Sequence, residues 1–163
     1  MTVFLIFFLA ALVMVPAQQQ IGSSGFFAGV LAEVSWYGVD APAFGTGLVI
    51  GGGDGISIGG RLLYAWESNG LNILELGVFI RSYTEGKDAV DGLFFQVNAG
   101  LVVVDGKHPS LPADKGSFTT GVDVGWRFLI GEFGAGRTWY IDPVIRVGYP
   151  YMFATGLSAG LRF

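Results

Sequence analysis

The chain has 163 residues, 52% hydrophobic and 13% charged, with a formal net charge of −4 and no cysteine. A soluble domain carries about a quarter charged residues, so this composition, with a mean hydropathy of +0.56, argues against an ordinary water-soluble fold. The missing cysteines exclude disulfides, thiol catalysis and a lipidated N-terminal Cys, and an acidic balance without a basic patch excludes nucleic acid as a partner.

Met1 to Ala17 reads as a secretory signal. Val3 to Val15 is apolar, and Val15-Pro16-Ala17 offers the small residues a signal peptidase expects. Cleavage is expected near Ala17–Gln18, leaving one domain over 18–163. Met1-Thr2-Val3 departs from the usual pattern, because it supplies no Lys or Arg. Beyond this segment there is no run of about 18 apolar residues, the length a spanning helix needs. The 27 glycines and frequent Phe, Val, Ile and Thr suit strands better.

From about residue 25 onward, eight segments alternate with a period of two. The first sets Phe26, Ala28, Val30, Ala32, Val34 and Trp36 against Gly29, Glu33 and Ser35. In the second, Phe44, Thr46, Leu48 and Ile50 oppose Gly45, Gly47 and Gly51. The third sets Ile56, Ile58, Leu62, Tyr64 and Trp66 against Ser57, Gly59 and Arg61, leaving Gly60 as an unexplained glycine on the apolar face. In the fourth, Leu74, Leu76, Val78 and Ile80 oppose Glu75, Gly77, Arg81 and Tyr83.

The fifth sets Leu93, Phe95, Val97, Ala99, Leu101 and Val103 against Gln96, Asn98 and Gly100. The sixth sets Val122, Val124, Trp126, Phe128 and Ile130 against Asp123, Gly125 and Arg127. Trp139, Ile141, Pro143, Ile145 and Val147 of the seventh oppose Asp142, Arg146 and Gly148. The eighth sets Phe153, Thr155, Leu157, Ala159, Leu161 and Phe163 against Gly156, Ser158, Gly160 and Arg162. An apolar face this continuous, with the charges on the hidden face, describes an all-β, eight-stranded antiparallel up-and-down transmembrane β-barrel whose solvent is lipid.

With the first strand rising from the periplasm, the outer connections fall near 38–42, 67–69, 105–116 and 149–151, and the inner ones near 52–55, 85–91 and 131–137. A turn centred on Ser68 sets Arg61 opposite Glu75. Centring on the Asn69-Gly70 turn dipeptide would oppose an inward face to an outward one, which the pleat forbids. A turn centred between Gly134 and Ala135 sets Arg127 against Asp142 and Asp123 against Arg146. Directly opposed residues touch across a sheet, so three salt bridges are expected inside the barrel. Glu33, Arg81 and Arg162 remain for contacts across the lumen, and the inward glycines are read as room for the long guanidiniums. Charges at membrane depth pair with one another or line a water path. A plugged interior and a narrow selective channel therefore both follow from this pattern.

Trp36, Phe44, Trp66, Tyr149 and Phe153 fall near the outer strand ends, and Phe26, Phe128, Trp139 and Phe163 near the inner ones, as in two aromatic girdles. The final strand, with Leu161 and the terminal Phe163, resembles the C-terminal signal read by the outer-membrane assembly machinery. The chain from 18 to 163 is similar to the small eight-stranded outer-membrane barrels, the class of the OmpA transmembrane domain and OmpX. Trp139-Tyr140-Ile141-Asp142-Pro143 and Arg146-Val147-Gly148-Tyr149-Pro150-Tyr151 resemble small spirochaetal outer-membrane barrels.

These resemblances imply a bacterial outer-membrane location, with membrane lipids and the assembly machinery as partners. They imply no single activity, and the short outer connections depart from OmpX. No cofactor, metal or catalytic residue is expected. The single histidine, His108, lies in Asp105-Gly106-Lys107-His108-Pro109-Ser110, where a lipid-modifying cluster is conceivable but ordinary loop surface is the plainer reading. The expected function is a structural or interaction protein of the outer membrane. A narrow channel for small or apolar solutes is the alternative, and a lipid-modifying enzyme a distant third.

Overall fold

A computed structural model describes residues 25–37, 42–68, 70–85, 90–105, 116–132 and 136–163. The signal-peptide segment and His108 lie outside these residues. Eight strands follow in chain order: β1 (Phe26–Trp36), β2 (Pro42–Gly52), β3 (Ile56–Trp66), β4 (Asn72–Tyr83), β5 (Gly92–Asp105), β6 (Gly116–Glu132), β7 (Thr138–Tyr149) and β8 (Phe153–Arg162). Each pairs antiparallel with its neighbours, and β8 returns to β1, closing the barrel.

One circuit of paired residues runs Phe26, Gly52, Ile58, Ile80, Val97, Val122, Val147 and Phe153, and re-enters β1 at Trp36, ten residues beyond its start. That stagger tilts the strands by roughly 40° and leaves an interior that side chains can fill. The alternation places the apolar set outside. Ile58 is 65% exposed, Val78 64% and Leu76 60%, while Glu75, next to Leu76, is fully buried.

The β6–β7 register is the expected one over its first stretch, with Asp123 opposite Arg146. It shifts by one residue between Leu129 and Gly131, where Gly131 has φ +137°. The β3–β4 register differs from the expected one. Glu75 stands opposite Leu63, and Arg61 opposite Gly77, two residues from the expected pairing. Gly70 (φ +91°) donates its N–H to the Glu67 carbonyl, and the Glu67 N–H donates to Leu71. The loop is therefore three residues long with glycine in its left-handed position. An even-numbered slip preserves the faces, which is why the face pattern alone could not detect it.

Several inward glycines make room for aromatic rings, where guanidiniums were expected. A Cβ on Gly51 would stand 2.6 Å from Phe27, on Gly59 2.3 Å from Phe79, and on Gly125 2.4 Å from Phe94. These three pairs face each other directly in the ladder. Gly60, the outward glycine, has room: its Cβ would meet only the Gly77 carbonyl, at 3.6 Å.

The two classes should therefore respond to alanine with opposite sign. Gly60→Ala should stabilise by about 0.5–1 kcal/mol, by restricting the unfolded chain. Gly125→Ala should destabilise by about 1–3 kcal/mol, because the Phe94 ring must shift. Urea unfolding of the refolded variants in lipid vesicles reads both. A shift of the same sign for the two would contradict the packing.

Candidate functional site

The lumen collects the inward side chains of all eight strands into layers. At the end opposite the termini, Tyr37, Leu71, Ile73, Val102, Val104 and Tyr151 form an apolar cap with three alanines. The hidden face is thus not purely charged: charge occupies its middle, and apolar residues close both ends. Runs such as Phe26-Phe27 and Phe94-Phe95 place apolar residues on both faces of one strand.

Beneath the cap lies a belt of two guanidiniums and three carboxylates. Arg146, fully buried, bonds Glu33 Oε2 at 2.5 Å and Glu75 Oε1 at 3.2 Å, and lies 3.4 Å from Asp123 Oδ1. Arg61 bonds Glu75 across the diagonal left by the shifted turn, and stands 3.6 Å from Asp123 Oδ2. Uncharged groups complete the belt. Ser35 donates to Glu33 at 2.6 Å, while Gln96 and Asn98 each donate to Asp123 at 2.7 Å.

Glu33 and Arg146 belong to β1 and β7, with β8 between them. They meet across the strand at Gly156, which stands next to Glu33 in the ladder. The Arg146 guanidinium also lies 4.3 Å from the centre of the Tyr151 ring, which lids the belt from above. Burial raises the pKa of the Tyr151 hydroxyl, and burial together with Glu75 and Glu33 raises that of Tyr37. Both lids therefore stay neutral at physiological pH.

Toward the termini a second belt holds Arg81, Arg127 and Asp142. Arg127 grips Asp142 with two bonds, at 2.8 and 2.6 Å, and Arg81 adds a third at 2.8 Å. Arg81 also donates to Gln96 at 3.0 Å, linking the two belts. Both guanidiniums lie against aromatic faces: Arg81 3.9 Å from the Phe94 ring centre, Arg127 4.2 Å from Phe27 and 4.1 Å from Tyr140. A desolvated cation on a ring gains about 2 kcal/mol, so the aromatic layer stabilises the charges and also forms the floor of the lumen.

Taken together, the two belts contain four guanidiniums (Arg61, Arg81, Arg127 and Arg146) and four carboxylates (Glu33, Glu75, Asp123 and Asp142), all 6% exposed or less. This equality matters because an uncompensated buried charge is strongly destabilising. Arg162 does not join them. It pairs with Asp54 at 2.5 Å at the rim near the termini, where both side chains are partly exposed.

Leu161 pairs with Ala28 and Trp139 in the ladder. Phe163 packs on Phe26, with ring centres 5.9 Å apart, and bonds its N–H to the Phe26 carbonyl. Between the belts remains a cavity of about 20 Å³, lined by residues of both, including Arg61, Arg81, Asp123 and Asp142.

Sequence reasoning did not place Gln96 and Asn98 in the network, although amides two apart on an inward face were a usable signal. It also missed the aromatic floor. Among the described residues no group of three or more His, Cys, Asp and Glu is placed to hold a metal ion.

No protein-family model matches the chain, and no curated protein matches it. Solved structures share its fold, two of them as follows. The N-terminal β-barrel domain of Pseudomonas aeruginosa OprF is similar at 14% identity and a TM-score of 0.51, over 86% of this chain and 98% of that one. Neisserial surface protein A is similar at 16% identity and a TM-score of 0.52, over 85% and 94%. Both are outer-membrane β-barrels, and the chain has their closed eight-stranded antiparallel fold.

Proposed function

We propose that this chain is an integral outer-membrane barrel whose lumen is closed by its own side chains, and that it serves as a structural or interaction protein, not as a transporter or an enzyme. The observation that carries this reading is the filling of the interior. The cavity between the belts has room for about one water. An apolar cap lies above it and an aromatic floor below. A hydrated solute would need both layers to move.

The location rests on the exposed apolar belt and the shared fold. Trp36 and Phe153, 5.5 Å apart, and Tyr64 and Trp66, 6.1 Å apart, serve as one headgroup girdle; Phe26 and Phe163 serve on the other. The end carrying the termini faces the periplasm. Leu161 and Phe163 engage the assembly machinery during insertion, and membrane lipids cover the outside.

Liposome swelling tests the closed lumen. Vesicles containing the refolded protein should exclude glycine and small sugars as well as protein-free vesicles do. Uptake of these solutes by the wild type would favour the narrow-channel reading instead.

A further inference from the structure

Among the described residues the backbone ladder of the barrel is interrupted at the β6–β7 seam. Between β6 and β7 the ladder pairs Gly125 with Val144 and resumes only at Phe128 with Ile141. Trp126 and Arg127 thus have no ladder partner on β7. The cause is Pro143, which has no N–H to donate and fixes its own φ. In water such a gap would be filled by solvent. In lipid an unsatisfied backbone group costs several kcal/mol, so proline is normally confined to edges. Two residues further along, the same seam carries the register shift at Leu129 and Gly131.

On the β8 side the ladder runs through Pro143 without interruption, pairing it with Leu157. The weakness therefore belongs to one seam and not to the whole of β7. Behind that seam the interior is held by side chains. Arg127 and Asp142, the inward residues of the interrupted stretch, are joined by the two-bond ion pair, and Arg81 reaches Asp142 from the opposite wall. The 20 Å³ cavity touches the seam through Asp142 and Val144.

We propose that the β6–β7 seam at Trp126–Arg127 and Asp142–Pro143 is a clasped breach, the place where the barrel wall opens toward lipid, and that the Arg127–Asp142 pair is the clasp that holds it shut. Arg127 acts here as a positioning residue: its planar fork spans the gap that the backbone cannot. A lysine keeps the charge but cannot grip both carboxylate oxygens.

Site-resolved amide hydrogen exchange of the refolded protein in micelles tests this. In Arg127→Lys, amides facing the seam between Gly125 and Phe128 and between Ile141 and Ile145 should exchange about tenfold faster than in the wild type. Amides of the β3–β4 ladder around Leu62 and Leu76 should be unchanged. Adding Pro143→Val, which restores the N–H, should return the seam to wild-type protection. A uniform acceleration around the barrel, or seam amides as slow as those of β3–β4 in every variant, would overturn the proposal. Should Arg127→Lys fail to fold, Pro143→Val alone decides: slower exchange at the seam supports the breach, and unchanged exchange refutes it.

Discussion

Arg146→Met should lower the unfolding free energy in lipid vesicles by about 3–5 kcal/mol, the cost of breaking a buried pair from one side. The substitution roughly preserves volume, so the loss comes from the carboxylates left behind. Among the described residues Glu33 would keep only Ser35, and the belt would hold three negative groups against the single Arg61. Arg162→Met provides the contrast. Its pair with Asp54 is partly exposed, and such pairs contribute about 0–1 kcal/mol. Urea titrations followed by tryptophan fluorescence should separate the two variants clearly. Equal losses would mean that burial does not set the worth of these charges.

The second large effect concerns the outer face and has a sign that depends on the solvent. Val78 lies at the centre of β4, points outward and is 64% exposed. In a soluble protein an arginine at so exposed a site would be tolerated. Facing the bilayer midplane, Val78→Arg should destabilise by about 2–4 kcal/mol. The same change at Phe118, 75% exposed near the cap end of β6, should cost only about 0–1 kcal/mol, because it lies near the interface. Equilibrium unfolding in vesicles reads both. A neutral Val78→Arg would remove the lipid-facing assignment.

Much of this architecture was legible in the chain because the side-chain period of a strand is two, and lipid inverts the usual sorting. Asp123, Arg127, Asp142 and Arg146 could be set in register because their spacings are even and the ladder from Thr120–Tyr149 to Leu129–Tyr140 keeps the register of a turn centred between 134 and 135. Arg61 and Glu75 could not, since moving the turn centre by one residue, from 68 to 69, moves the register by two without changing either face. Contacts across the lumen were less legible still. Arg146 reaching Glu33, and Arg81 reaching Asp142, depend on how far the strands stagger when the barrel closes. Alternation within a strand contains nothing about that. The inward Phe27, Phe79 and Phe94 stood next to equally apolar outward neighbours, so their role as floor and as partners of the guanidiniums emerged only from the packing.

The closed interior is tested most directly by single-channel recording of the refolded protein in planar bilayers. The wild type should show no steady openings, because the cap, the two belts and the aromatic floor leave room for about one water. A stable, ohmic conductance in the wild type that changes when Arg61 or Arg146 is replaced by Ala would show that ions pass along the belts, and would contradict the account.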